Sequence, residues 1–325
     1  MRKQFTLIIK VLLTIALLLY IFSRIPLSNI INAISSTNIW LFILSILISI
    51  PVVLLSSYQT KYLTDIQDMS IAYNEVLKVE LTTNFYSLFL PGFVYGGPIK
   101  WYKFSKYGKK SSAAVVVVYN RYLEIFITLF LGIVFSFATL VASRVHYLVP
   151  IWLAALMLLL LAYILPLNNK IVIRVEKIVN SVPLPQTIKI KIKSVFEAQK
   201  NFQKLKLKDH SEIVGIMLTY HFLSVVSFYV LAKSLNLTLD FFVVGWIRST
   251  VMIATMIPIS ISGFGIREGV LIYLLKFYGI VPSLAIAFSF LSFAKNLFSP
   301  IAGGILELKN FLALGKNKSG NKDYD

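Results

Sequence analysis

The residues in this sequence best placed to do chemistry are charges embedded in apolar surroundings. Lys10, Arg121, Arg248, Arg267 and Lys295 lie inside long apolar stretches, where only Glu124 and Glu268 carry the opposite sign. A charge near the centre of a bilayer costs at least ~2.5–3.5 kcal/mol on insertion scales, so such residues are candidates for function. Lys10 is close enough to the end of its stretch to snorkel. Arg121 and Glu124 are three apart and share a helix face, which suits an internal ion pair as well as a site. Arg267 and Glu268 are adjacent, Arg248 stands ten residues before Pro258, and Lys295 (followed by Asn296) has no local partner. The excess of cations suits an anionic ligand better than a cation or proton path.

Other chemistries find little support. There is no cysteine, and the three histidines, His146, His210 and His221, are scattered without the spacing of a metal centre. No metal or other cofactor is expected. No phosphate-binding GxxxxGK[ST] loop occurs, and Gly263-Phe-Gly-Ile-Arg-Glu268 lacks the strand–helix setting of a dinucleotide site. A transferase would need acid and base groups at a reachable interface. Its candidates, Asp65, Asp68, Glu75 and Glu80, are sparse and unpatterned.

Two Pro/Gly-rich segments flank these charges. Leu90-Pro-Gly-Phe-Val-Tyr-Gly-Gly-Pro-Ile-Lys100 and Ile257-Pro-Ile-Ser-Ile-Ser-Gly-Phe-Gly-Ile-Arg267 align at an offset of 167 residues. Pro91 meets Pro258, Gly96 meets Gly263, Ile99 meets Ile266 and Lys100 meets Arg267. Proline removes a backbone donor and breaks a helix, while glycine permits a tight non-helical turn. Pro91, Gly92, Gly96, Gly97, Pro258, Gly263 and Gly265 are therefore expected to shape broken backbone. In hydrocarbon such backbone survives only when buried in protein or lining a watery cavity. A matched pair of interrupted segments is the sequence mark of a transporter site; the plainer alternative is two helical hairpins with turns at the surface. A helix starting near Lys100 or Arg267 would aim its N-terminus and a cation at the same place, which suits a phosphate.

The elements that must position these residues are transmembrane helices. The chain has 325 residues, 57% hydrophobic and 14% charged, against about 45–50% and 25% for a soluble domain. Full spans are predicted at 5–23, 39–57, 113–142, 148–166, 211–233 and 283–308, with interrupted stretches at 73–101 and 241–279. The fold class expected is all-α: a polytopic membrane protein with about six full spans and two Pro/Gly-interrupted helical hairpins in an inverted repeat, either re-entrant or turning at the surface. The first apolar run has no small-residue cleavage site after it and reads as a retained helix.

Lys and Arg set the topology. With both termini inside, 23 of the 32 fall in inside loops, four outside and five within apolar stretches, as the positive-inside rule requires. The net charge of +18 then reflects loops facing anionic lipid rather than nucleic acid. The membrane domain covers 1–314. Its basic loop, 168–210, reads either as a linker that sets topology or as an amphipathic contact with anionic lipid. A polar tail, 315–325, is expected to be disordered. Tyr86, Tyr95, Trp101, Tyr102, Tyr119 and Tyr122 gather around the first break and suit interfacial anchoring.

Asn84-Phe-Tyr-Ser-Leu-Phe-Leu-Pro-Gly92, Gly96-Gly97 and Tyr119-Asn-Arg-Tyr-Leu-Glu124 resemble the first signature of the lysylphosphatidylglycerol synthetase transmembrane, or flippase-like, family. Ile257-Pro and Gly263-Phe-Gly-Ile-Arg-Glu-Gly269 resemble its second and more specific signature. The resemblance covers essentially the whole chain. Pro98 and Lys100 depart from the family pattern, which places a small polar or acidic residue and an arginine there; Arg121 matches its arginine before an apolar helix. The resemblance implies a lipid flippase or lipid-carrier transporter without the soluble synthetase domain of the fused enzymes. The expected cargo is an anionic or aminoacylated phospholipid or a lipid-linked glycan. Lys100, Arg121, Arg267 and Lys295 are expected to attract its phosphate, with Glu124 and Glu268 orienting the arginines. A lipid-modifying transferase, or a subunit partnering a separate synthase or transferase, is the alternative. The expected location is the plasma or inner membrane, with both termini cytoplasmic.

Overall fold

The computed structural model describes residues 19–20, 23, 25–89, 96–139, 150, 153–157, 160, 174, 177, 181, 189, 206–256, 260 and 262–319. Pro91, Gly92 and Pro258, the spans expected at 5–23 and 148–166, and the basic loop up to Lys206 lie largely or wholly outside these residues.

The described residues form helices and no strands. In chain order the helices are α1 (Leu27–Ser35), α2 (Ile39–Ile66), α3 (Tyr73–Ser87), α4 (Gly96–Phe104), α5 (Lys110–Ala138), α6 (Leu207–Ser234), α7 (Phe241–Met256), α8 (Ile266–Lys276), α9 (Pro282–Asn296) and α10 (Phe298–Ser319). Four stretches among them are long and apolar enough to cross a membrane: Ile39–Ile66, Lys110–Ala138, Lys208–Ser234 and Pro282–Lys309. The protein is a multi-pass membrane protein.

The burial pattern of α2 explains why it needs lipid. Its buried side chains are nearly all polar: Ser45, Ser49, Ser57, Gln59, Thr60 and Thr64, with Leu63. Ile43, Leu44, Leu47, Ile50 and Leu54 point outward. Between membrane helices, lipid tails already solvate apolar groups, so contact faces rely on small residues and polar side chains. The serines and threonines recur at spacings that place them on one face; Ser45 and Ser49 on it meet Ser227 of α6, and Thr60 meets Glu80 of α3.

The pairing of α2 with α6 defines the architecture. The Asn38 amide donates to the Ser234 carbonyl (2.8 Å), Ser49 Oγ lies 2.9 Å from Ser227 Oγ, and Tyr62 Oη donates to Asp209 Oδ1 (3.0 Å). Numbers rise along one helix as they fall along the other, so the two are antiparallel. They are also equivalent. α2 and α6 begin at residues 39 and 207, and α3 and α7 at 73 and 241, a shared offset of 168. α4 then corresponds to α8, and α5 to α9 plus α10. Equivalent helices packed antiparallel make this an inverted repeat. It extends well beyond the two interrupted segments in which it is visible in the sequence.

The two repeats interlock. α3 packs on α10 and α7 packs on α5, so each repeat's pre-break helix lies against the other repeat's long span. Asn84 Nδ2 donates to Ser299 Oγ (2.9 Å) at the first contact, and Thr128 Oγ1 lies 3.5 Å from Met252 Sδ at the second. Glycine allows both approaches. A Cβ on Gly303 would sit 2.0 Å from the Leu81 carbonyl oxygen, and one on Gly245 would sit 2.7 Å from Cγ of Phe135. Two apolar clusters fill the interior, one around Leu63, Val76, Phe104 and Val116 that α6 joins through Ile213 and Met217, the other around Trp246, Leu271 and Phe288 that α5 joins through Phe135.

The last span covers the stretch expected, Pro282–Lys309 against 283–308, with a one-residue interruption inside it. A continuous helix was expected over 283–308, but α9 ends at Asn296 and α10 starts at Phe298. Pro300 explains the break: its ring nitrogen cannot donate to the Asn296 carbonyl four residues back. At the far end, α10 runs to Ser319, into the segment read as a polar tail.

Candidate functional site

α3 ends at Ser87 and α7 at Met256, ahead of the two Pro/Gly-rich segments, and α4 and α8 start at Gly96 and Ile266. The two breaks meet: Ser262 Oγ, in the second break, donates to the Leu88 carbonyl at the end of α3 (2.8 Å). Gly263 and Gly265 carry φ of 75° and 84°, and Ser262 one of 50°. These left-handed conformations favour glycine, and a Cβ on Gly263 would also press on Thr255 Cγ2 at 2.9 Å. Gly96 starts α4 packed beneath Ser87 and Thr83, while Gly97 has only Val117 at 3.5 Å.

Arg267 lies in the first turn of α8, next to the helix N-terminus. Its Nε donates to Ser289 Oγ (2.7 Å) and its Nη2 to Glu268 Oε1 (2.9 Å). The guanidinium sits over the rings of Phe264 and Phe293, 5.1 and 5.3 Å from their centroids. Glu268 is fully buried. It accepts from the Gly265 amide (2.6 Å) and from Ser289 Oγ (2.6 Å), so it closes the end of α8 while balancing the arginine. A buried ion pair is tolerated when its remaining lone pairs and protons are bonded in this way.

Lys100 differs. It lies a turn inside α4, away from the helix start at Gly96. It forms a salt bridge with Glu80 of α3, both side chains nearly buried. Thr60 Oγ1 donates to Glu80 Oε1 (2.7 Å), and Asn120 Nδ2 donates to Thr60 (3.0 Å). Four helices thus contribute to one neutral cluster. Glu80 was weighed in the sequence only as a stray acid; no local spacing links it to Lys100, because the break separates them.

On α5, Arg121 Nη1 donates to Glu124 Oε2 (2.7 Å), the i,i+3 pair its spacing suggested. Lys295 is 3% exposed at the end of α9. It donates to Ser227 Oγ (2.5 Å) and approaches Ser49 Oγ (3.5 Å). Arg248 of α7 donates to Ser224 Oγ (2.6 Å). Among the described residues, neither Lys295 nor Arg248 is in a salt bridge. The structure therefore sorts the expected site residues into three ionic pairs and one hydroxyl-held lysine; it places Arg248, noted in the sequence as an embedded charge, on a serine of α6, and it adds Glu80 and the serine face of α2 and α6. The recurrence of Ser45, Ser49 and Ser57 in an apolar run was the signal for that face.

Among the described residues no group of three or more His, Cys, Asp or Glu is placed to hold a metal ion. No curated protein matches the sequence. The profile of the lysylphosphatidylglycerol synthase TM region matches residues 7–304, a membrane domain with a lipid-related function. Inverted repeats, paired breaks and a match across nearly the whole chain agree: the chain belongs to the lysylphosphatidylglycerol synthase TM region family.

Proposed function

We propose that this protein is a lipid transporter of the flippase type, moving an anionic or aminoacylated phospholipid or a lipid-linked glycan across the plasma or inner membrane. The observation that carries this reading is the contact between the two breaks, Ser262 Oγ to the Leu88 carbonyl, inside an interlocked inverted repeat. Paired broken helices at the interface of inverted repeats are how many transporters build a substrate site and alternate its access. The glycines give the broken backbone its turns, and the charged groups around it offer polar contacts for a headgroup. Both termini lie on the cytoplasmic side in this reading, and the basic loop 168–210 rests on anionic lipid. A separately encoded synthase or transferase would supply the lipid.

The test is reconstitution of the purified protein in liposomes with fluorescent phosphatidylglycerol and its lysine ester. Protein-dependent movement of either lipid is expected, and Arg267→Ala is expected to abolish it. Movement no faster than in protein-free liposomes for these lipids and for a lipid-linked glycan would overturn the transport reading.

A further inference from the structure

Resting on that reading, we infer that Arg248 and Lys295 form the phosphate-binding site of this protein, seated on one turn of α6 near the pseudo-two-fold axis. Lys100, Arg121 and Arg267 each already face a carboxylate, at Glu80, Glu124 and Glu268. Their charge is balanced inside the protein. Among the described residues, Arg248 and Lys295 bond hydroxyls and no carboxylate, and Lys295 Nζ also lies 6.0 Å from the centroid of the Phe228 ring.

The two cations converge. Arg248 reaches Ser224 from α7, and Lys295 reaches Ser227 from α9. Ser224 and Ser227 are three apart on α6, so they share a face and lie about 4.5 Å apart along its axis. His221 is one further turn back on that face. It is 1% exposed, and among the described residues neither ring nitrogen has a hydrogen-bond partner. Nη1 of Arg248 is likewise buried without one. Glu124 acts electrostatically on Arg248, but its carboxylate bonds Arg121.

The serines are unable to serve as counter-ions. Ser227 Oγ donates its one proton to the Ser45 carbonyl (2.7 Å), which leaves its lone pairs to accept from Lys295. Two like charges held together in a low-dielectric interior repel strongly, and one anion between them removes that cost. A guanidinium fork with an adjacent ammonium matches a phosphate, whose oxygens take bidentate and point-charge contacts at once. Ser49 lies in the first half of α2 and Ser227 in the last third of α6, and Lys295 stands next to the end of α9.

The test reads binding rather than transport, using the full chain in detergent micelles. The probes are dioctanoyl phosphatidic acid, dioctanoylglycerol and inorganic phosphate. Phosphatidic acid is expected to bind saturably, dioctanoylglycerol not to compete, and inorganic phosphate to compete only far more weakly. Arg248→Gln and Lys295→Gln should each weaken binding about ten-fold, as loss of one charge-assisted hydrogen bond does, and the double variant should lose it. Lys295→Met should weaken binding at least as much as Lys295→Gln while keeping or raising the melting temperature, because an apolar chain replaces an unpaired buried charge. Wild-type affinity in the double variant would overturn the site. So would a fall in melting temperature of Lys295→Met with binding intact. Inorganic phosphate binding as tightly as phosphatidic acid would overturn the lipid assignment. Intact binding without lipid movement in liposomes would sink the transport reading alone.

Discussion

The two repeats follow one backbone plan but carry different charge. In the first, the cation after the break, Lys100, is neutralised from a distance by Glu80, with Thr60 and Asn120 completing a cluster drawn from four helices. In the second, Arg267 is neutralised by its own neighbour Glu268, which also bonds the Gly265 amide. The offset of 168 places Arg248 where the first repeat has Glu80. One half is therefore closed electrostatically, and the other keeps buried positive charge at the shared face. A duplicated scaffold can thus hold a broken helix twice and reserve a binding charge for one copy.

The sharpest way to break this comparison is to neutralise the two carboxylates. Glu268 has no solvent contact and three partners, one of them a backbone amide. Glu268→Gln should destabilise by about 3–5 kcal/mol, the cost of leaving a buried partner uncompensated. Glu80→Gln keeps an oxygen for Thr60 and leaves Lys100 partly hydrated, so about 1–3 kcal/mol is expected. Thermal unfolding in detergent measures both. Equal losses would mean the two pairs are built alike, against the contrast drawn here.

Packing offers a second, smaller contrast. The Leu81 carbonyl that a Cβ on Gly303 would strike is backbone, whereas the Phe135 ring facing Gly245 is a side chain. Gly303→Ala should cost about 2–3 kcal/mol and Gly245→Ala about 1 kcal/mol, within the usual range for overpacking. The same melting assay reads the difference, and a reversed order would show that α7 and α5 are the more rigid interlock.

What the sequence revealed about these halves follows the range of each interaction. Arg121–Glu124 and Arg267–Glu268 are legible because three residues, or one, separate the partners. Lys100–Glu80 is not, since the break intervenes and its fold sets the distance. Lys295 and Arg248 stood out as charges, but their partners Ser227, Ser49 and Ser224 hardly register in an apolar run. The spans read at 39–57 and 211–233 were short of α2 and α6. The helices continue into charged turns at one end, where Lys61 pairs with Asp65 and Lys208 with Glu212, so apolarity fades before the helix does. The break at Leu297 had the opposite cause: hydropathy continues through it while Pro300 removes a hydrogen bond.

The smallest effect concerns an ion pair that ties α4 of the first repeat to α10 of the second. Lys103 of α4 pairs with Glu307 of α10, both about one-fifth exposed. In the alignment that pairs Lys100 with Arg267, Lys103 corresponds to Val270, which packs against the second repeat's core beside the fully buried Leu271, so the second repeat secures the same helix by packing. A partly hydrated ion pair is worth little, about 0.2–1 kcal/mol, because solvent already screens the charges. A double-mutant cycle on Lys103→Ala and Glu307→Ala should return a coupling in that range, falling with added salt. Leu271→Ala should cost about 2–5 kcal/mol, as the truncation of a buried leucine does. If the ion pair proved the stronger of the two, α4 would be pinned by charge and free to detach when either group is neutralised. A weak coupling instead leaves α4 the more loosely held of the two post-break helices, and so the half of the site better able to move.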